Sequence, residues 1–162
     1  VHDKTQHDNP DYNHSYDSSN ISIHSYLEKY PEIQIVLDVH RDTVITSSKT
    51  KYRAVAEING ETSSQVMILL GSGSEKYPNS HWEENLKFSL MIQKTAAERY
   101  PGLMRPILLR NYLYNQDITP GSILVEVGTC GNTPEEAERG AGYFAECLID
   151  VLDVINEKGV LQ

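Results

Sequence analysis

The stretch Ile33-Gln34-Ile35-Val36-Leu37-Asp38-Val39-His40-Arg41-Asp42 runs an apolar strand straight into three ionisable side chains. Residues 33–39 are rich in β-branched and aliphatic types and read as a buried strand. At its end two readings meet. Either the strand simply surfaces there, with His40 paired to Asp38 or Asp42, or the strand end holds His40 in place for chemistry.

The neighbours of this strand set the class. Before it, Ile23, Tyr26, Leu27 and Tyr30 recur at i, i+3, i+4 and i+7. They predict a helix that starts near Ser18 and Ser19 and is closed by Pro31, after twenty polar, turn-rich residues. Beyond it, Tyr52, Ala54, Ala56 and Ile58 alternate on one strand face, and Asn59-Gly60 reads as a type I′ turn into a strand over residues 65–70. Ser80-His81-Trp82-Glu83 has capping-box form and opens a predicted helix with Trp82, Leu86, Leu90 and Ala97 on its inner stripe. Short strands follow over residues 106–110 and 123–127. Thr133-Pro134-Glu135-Glu136 is a second capping box with Pro at the first helical position. Its helix runs to about Lys158, with Ala137, Ala141, Phe144, Leu148, Leu152 and Ile155 inward and Gly159 beyond its end. Strands alternating with amphipathic helices predict one three-layer α/β domain over residues 1–162, built on a mixed, mostly parallel sheet with helices on both faces.

Such sheets bind ligands at the carboxyl ends of their strands. His40 lies at one end, and Glu126, flanked by Val125 and Val127, lies at another. A carboxylate in an apolar strand is costly unless it is paired, metal-bound or protonated for a task. A His and a Glu at neighbouring strand ends suit a metal-activated hydrolase, with the imidazole on Zn²⁺ and the carboxylate taking a proton from bound water. The plainer alternative is a surface histidine beside a glutamate that caps a loop.

Charge narrows the partners. With 23 acidic against 14 basic residues the net charge is -9, which argues against binding a phosphate backbone. No run reaches the roughly 18 apolar residues of a membrane span and no signal peptide is read, so either a cytosolic protein or a targeting segment outside this chain is expected. Cys130 and Cys147 are too few for a structural zinc site, and Cys130 has no adjacent base to make it a nucleophile. His2, His7 and His14 lie among Asp3, Asp8 and Asp11 but share no element that would fix them as metal ligands; a solvated polar loop is expected. Gly71-Ser72-Gly73-Ser74 lacks the ending of a phosphate loop.

The ordered segments HDKTQHDNPDYNHSYDSS, IVLDVHRDT, NSHWEENLKFSL and YLYNQDITPGSILVEVGTCGNTPEEA closely resemble the catalytic domain of the stage II sporulation protein P family. The resemblance covers Val1 to about Asn156. It implies a zinc amidase-like fold and an N-acetylmuramoyl-L-alanine amidase that cleaves peptidoglycan during engulfment. By position, it makes His40 a Zn²⁺ ligand and Glu126 the catalytic glutamate. Arg41 and Asp42 would orient His40 or touch substrate; Asn115 and Asn132 fall in matched motifs without an expected role. It further implies a membrane anchor upstream, action outside the cytoplasm between mother cell and forespore, and a partner, the lytic transglycosylase stage II sporulation protein D. In that family the first strand and helix supply the remaining zinc ligands, and they are expected to precede Val1. With His40 as its one confident ligand, the chain by itself is expected to bind zinc poorly, and the alternative is a module of the same fold that binds peptidoglycan or a protein without cleaving it.

Overall fold

A computed structural model describes residues 1–8 and 11–158. Its sheet has four strands: β1 (Val36–Asp42), β4 (Val66–Gly71), β5 (Leu108–Arg110) and β6 (Ser122–Thr129), in the order β1-β6-β4-β5. β1 runs parallel to β6 and β5 parallel to β4, while β4 and β6 are antiparallel. The sheet is therefore mixed and mostly parallel. Every residue of β6 is buried, which is why its sequence is nearly continuous in aliphatic residues, as expected of a strand covered on both faces. Glu126 is the one interruption.

One face packs on α2 (Trp82–Arg99) and α3 (Pro134–Lys158), around Ile68, Leu70, Phe88, Ile92, Val125, Phe144 and Val151. On the other face lies α1 (Ser15–Lys29), which buries no residue fully. It is tied down by polar bonds: Asn115 Nδ2 donates to the Tyr16 carbonyl at 2.9 Å, and Asn20 Nδ2 donates to Asn115 Oδ1 at 3.0 Å. A separate hairpin, β2 (Val55–Ile58) and β3 (Glu61–Ser64), turns at Asn59 and Gly60 with positive φ at both, as a type I′ turn requires. Its second arm stops at Ser64, and residues 66–71 belong to the main sheet.

Other differences from the sequence expectations have local causes. α1 begins at Ser15, extended forward by a 3-10 turn over Tyr12–His14 whose cap, Asp11, accepts from the Asn13 N–H at 3.0 Å. β1 starts later than expected and includes His40, Arg41 and Asp42, with a bulge between His40 and Asp42. The Ser80 capping box does not form. His81 stands at the N-cap without a side-chain bond of its own, and Asn79 Oδ1, two residues before it, accepts from the His81 N–H at 2.9 Å. α2 buries Asn85, Phe88, Ser89, Ile92 and Ala96, leaving Trp82 and Leu90 largely exposed. The inward stripe was misplaced because two inward positions are polar. The second capping box forms as expected: Thr133 Oγ1 accepts from Glu136 N–H, and Glu136 Oε2 accepts from Thr133 N–H. Gly159 lies outside the described residues.

α3 rests directly on β3. A Cβ at Gly140 would fall 2.3 Å from Ser64 Oγ and 2.7 Å from the Ser64 carbonyl oxygen. Alanine normally gains about 1 kcal/mol over glycine inside a helix. Here the clash outweighs that gain, so Gly140→Ala destabilises by about 1–3 kcal/mol in urea unfolding. A stabilised variant would show that α3 lifts off β3 without cost.

Candidate active site

In register, His40 on β1 faces Glu126 on β6, and Met67 on β4 faces Glu126 from the other side. Residues paired across adjacent strands share a face, and Asp38 joins them two positions before His40. Asp38, His40 and Glu126 line the floor of a cavity of about 1090 Å³ between the sheet and α1, with Tyr16 and Tyr114 also in its wall.

His40 Nε2 lies 2.8 Å from Asp38 Oδ1. That bond raises the imidazole above its ordinary value of 6.5, against an opposing effect of burial. The stabilisation is fully present below pH 6.5 and is lost as pH rises through the folded-state value. Asp38→Asn therefore lowers the His40 pKa and moves this window down, readable by NMR titration of the imidazole. An unmoved titration would mean that the bond does not form in solution.

Glu126 is only 9 % exposed, and its Oε2 is buried without a hydrogen-bond partner. Burial holds its pKa above the usual carboxylate range, with the Asp42 charge adding to the shift and those of His40 and Arg105 opposing it. Burial, followed by the Asp38 charge, also raises the Tyr16 phenol. It stays a hydrogen-bond donor at neutral pH. The site thus holds a carboxylate biased toward the proton-bound form beside a histidine biased toward the cation.

The other two expected residues are held by partners of their own, Arg41 while it also lines the cavity. Arg41 donates from Nε to the Thr129 carbonyl at 3.0 Å and from Nη2 to the Asn132 carbonyl, clamping the turn from β6 into α3. Asp42 accepts from Arg105 Nη1 at 2.9 Å. The carboxylate that contacts His40 is Asp38. Asn132 is scaffold: its side chain bonds the Thr129 N–H, the Ala54 carbonyl and Glu136. Residues that sequence reasoning missed are Tyr16, Tyr114 and Arg105. No spacing marks them, since the two tyrosines come from α1 and a loop and Arg105 sits between Met104 and Pro106. Arg105 Nε and Nη2 are buried without partners near Glu126.

Of the other histidines, His2 and His7, with Asp3 and Asp8, line the same cavity, where His7 Nε2 lies 2.8 Å from Ser22 Oγ, while His14 lies outside it and pairs with Asp17. Cys130 and Cys147 are both free, and burial pushes the Cys147 thiol up. Among the described residues no group of three or more His, Cys, Asp or Glu side chains is placed to hold a metal. A catalytic zinc takes three protein ligands and a water, so this donor set does not by itself fit one. Among the same residues no helix is long and apolar enough to cross a membrane.

Three comparisons bear on the identity of this arrangement. The chain is 30 % identical over 145 residues to stage II sporulation protein P of Bacillus subtilis (strain 168), a match that covers 86 % of this chain and 34 % of that protein. It thus spans about a third of the length of that relative. The fold is similar to that of the CwlD amidase from Clostridioides difficile, solved in complex with the GerS lipoprotein, with a TM-score of 0.54 at 13 % identity over 95 % of this chain and 71 % of that one. That likeness shows the fold alone: an amidase-type α/β domain. Residues 1–149 match the family described as stage II sporulation protein P (SpoIIP), and the chain belongs to that family.

Proposed function

We propose that this domain is the catalytic part of a peptidoglycan hydrolase, an N-acetylmuramoyl-L-alanine amidase acting during engulfment. The observation that carries the reading is Glu126: a buried carboxylate with an unpartnered oxygen, in register beside His40, in the wall of a cavity. A structural glutamate would spend both oxygens on partners. Glu126 is instead suited to accept a proton from an attacking water and return it to the leaving amine, and its raised pKa brings it nearer the operating range of a general base. Asp38 fixes the tautomer and orientation of His40.

In this reading His40 is one ligand of a Zn²⁺ whose other ligands the described residues do not supply. β1 is an edge strand, so its outer side next to His40 is open to a further strand. The same reading carries the extracytoplasmic place, the anchor in the parent protein and the partner, stage II sporulation protein D. Arg41, which lines the cavity, and Asp42 serve it by orienting the strand end that carries His40 or by touching substrate.

A second reading is favoured by the incomplete donor set: a module that binds peptidoglycan without cutting it. One experiment separates the two. A longer protein of this family should carry close to one zinc and release stem peptides from purified peptidoglycan, whereas this chain, purified without chelator, should carry far less than one. Release that persists after His40→Ala and after Glu126→Ala would sink the assigned roles. Sedimentation with peptidoglycan that ignores chelators, with no release from the longer protein, would establish the second reading.

A further inference from the structure

A second cleft, of about 570 Å³, opens beside the ends of β4 and β5 and is lined by Lys76, Tyr77, Leu109, Arg110 and Tyr112 among others. Tyr77, Leu109 and Tyr112 are each more than half exposed there. The chain has only 14 basic residues, yet two of them meet in this cleft. Among the described residues neither enters an ion pair. The Lys76 ammonium lies 5.0 Å from the centre of the Tyr77 ring.

The walls are fixed rather than loose. A Cβ at Gly71 would fall 2.1 Å from the Tyr112 carbonyl oxygen, so the chain around Tyr112 is seated against the end of β4. The opposite wall is a tight turn in which Ser74 and Tyr77 exchange both backbone bonds, at 2.8 and 3.2 Å. A cleft held this way binds without first being ordered.

The wall of the cleft touches the wall of the first cavity through aromatic rings. Tyr112 makes an edge contact with Tyr114 at 5.9 Å between ring centres, and Tyr114 makes another with Tyr16 at 5.5 Å. Tyr114 and Tyr16 line the cavity that holds Glu126. The three rings thus form one row of contacts between the wall of the exposed cleft and the wall of the cavity. Tyrosine offers an apolar face with a polar rim, which suits sugar rings, and Lys and Arg suit carboxylates.

We propose that this cleft is a distal subsite for the carboxylate-bearing glycan–peptide strand of peptidoglycan, holding the polymer while its amide lies at Glu126. The inference rests on the peptidoglycan reading above. The test is co-sedimentation of the full chain with purified insoluble peptidoglycan. Lys76→Glu with Arg110→Glu should weaken retention roughly ten-fold, and Tyr77→Ala with Tyr112→Ala by a similar factor. Lys87→Glu with Lys94→Glu, which changes the net charge equally on exposed positions of α2, should leave retention unchanged. Amidating the polymer's carboxylates should remove the part that depends on Lys76 and Arg110. If the cleft variants bind like the parent, or the α2 control weakens binding as much, the subsite is overturned while the peptidoglycan reading stands. If the parent chain does not sediment at all, both fall.

Discussion

Glu126→Gln is expected to reduce stem-peptide release by the longer protein about 10²–10⁴-fold, the usual contribution of a positioned general base. Glutamine keeps the shape of the side chain but cannot take a proton. The loss should fall on kcat, with retention on peptidoglycan little changed, since the replaced group acts on the attacking water rather than on the polymer. The same substitution should not harm the fold. Burial raises the Glu126 pKa above its ordinary value of 4.5, so the folded state holds that proton more tightly than the unfolded one. Stability from this group therefore falls as pH rises from 4.5 through the folded-state value, and above that value the buried charge is a standing cost. Glutamine carries no such cost. Melting temperatures at pH 5 and pH 8 should show the parent losing more than the variant on going up. A variant that hydrolyses normally would remove Glu126 from the mechanism. One that unfolds at both pH values would make it a structural residue.

Much of this was readable from the chain because the signals were local. The Asn59-Gly60 turn, the Thr133 box and the apolar run of β6 each depend on a few adjacent residues, and each stands where the sequence reading put it. Pairing His40 with Glu126 required only that two strands ending in ionisable groups lie side by side. What escaped was nonlocal. Asp38 and Asp42 both flank His40 at i±2, and a bulge that no sequence pattern marks sends Asp42 to Arg105 while Asp38 reaches His40. Tyr16 enters the site from a helix that side-chain amide bonds hold alongside its half-buried stripe of Ile23, Tyr26 and Leu27. α2 misled for a related reason: hydrophobic periodicity assumes that the inside is apolar, and here Asn85 and Ser89 are inside.

Asn85 shows what such an exception contributes, and Asn85→Leu should destabilise the scaffold by about 3–5 kcal/mol. Asn85 is 1 % exposed, and its side chain bonds only backbone. Nδ2 donates to the Gln116 carbonyl at 2.7 Å, and Oδ1 accepts from the Gly121 and Ser122 N–H groups at 2.7 and 3.0 Å. Leucine fills the space and satisfies none of them. The Gln116 carbonyl and the Gly121 N–H then lack partners and the Ser122 N–H keeps only its 3.3 Å bond to the Thr119 carbonyl, at about 1–3 kcal/mol for each orphaned group before local relaxation recovers part. Ser122 begins β6 and pairs with Val36 at the start of the strand that carries His40. Both arms of the site thus start from a position that Asn85 fixes from α2. Asn85→Asp keeps the acceptor for the two N–H groups but sets a carboxylate oxygen against the Gln116 carbonyl, so it too should destabilise, and more at pH 8 than at pH 4. Urea unfolding of the three proteins decides the matter. A loss below about 1 kcal/mol for Asn85→Leu would mean that those backbone groups find other partners, and that the tie from α2 to β6 is not what holds the site in register.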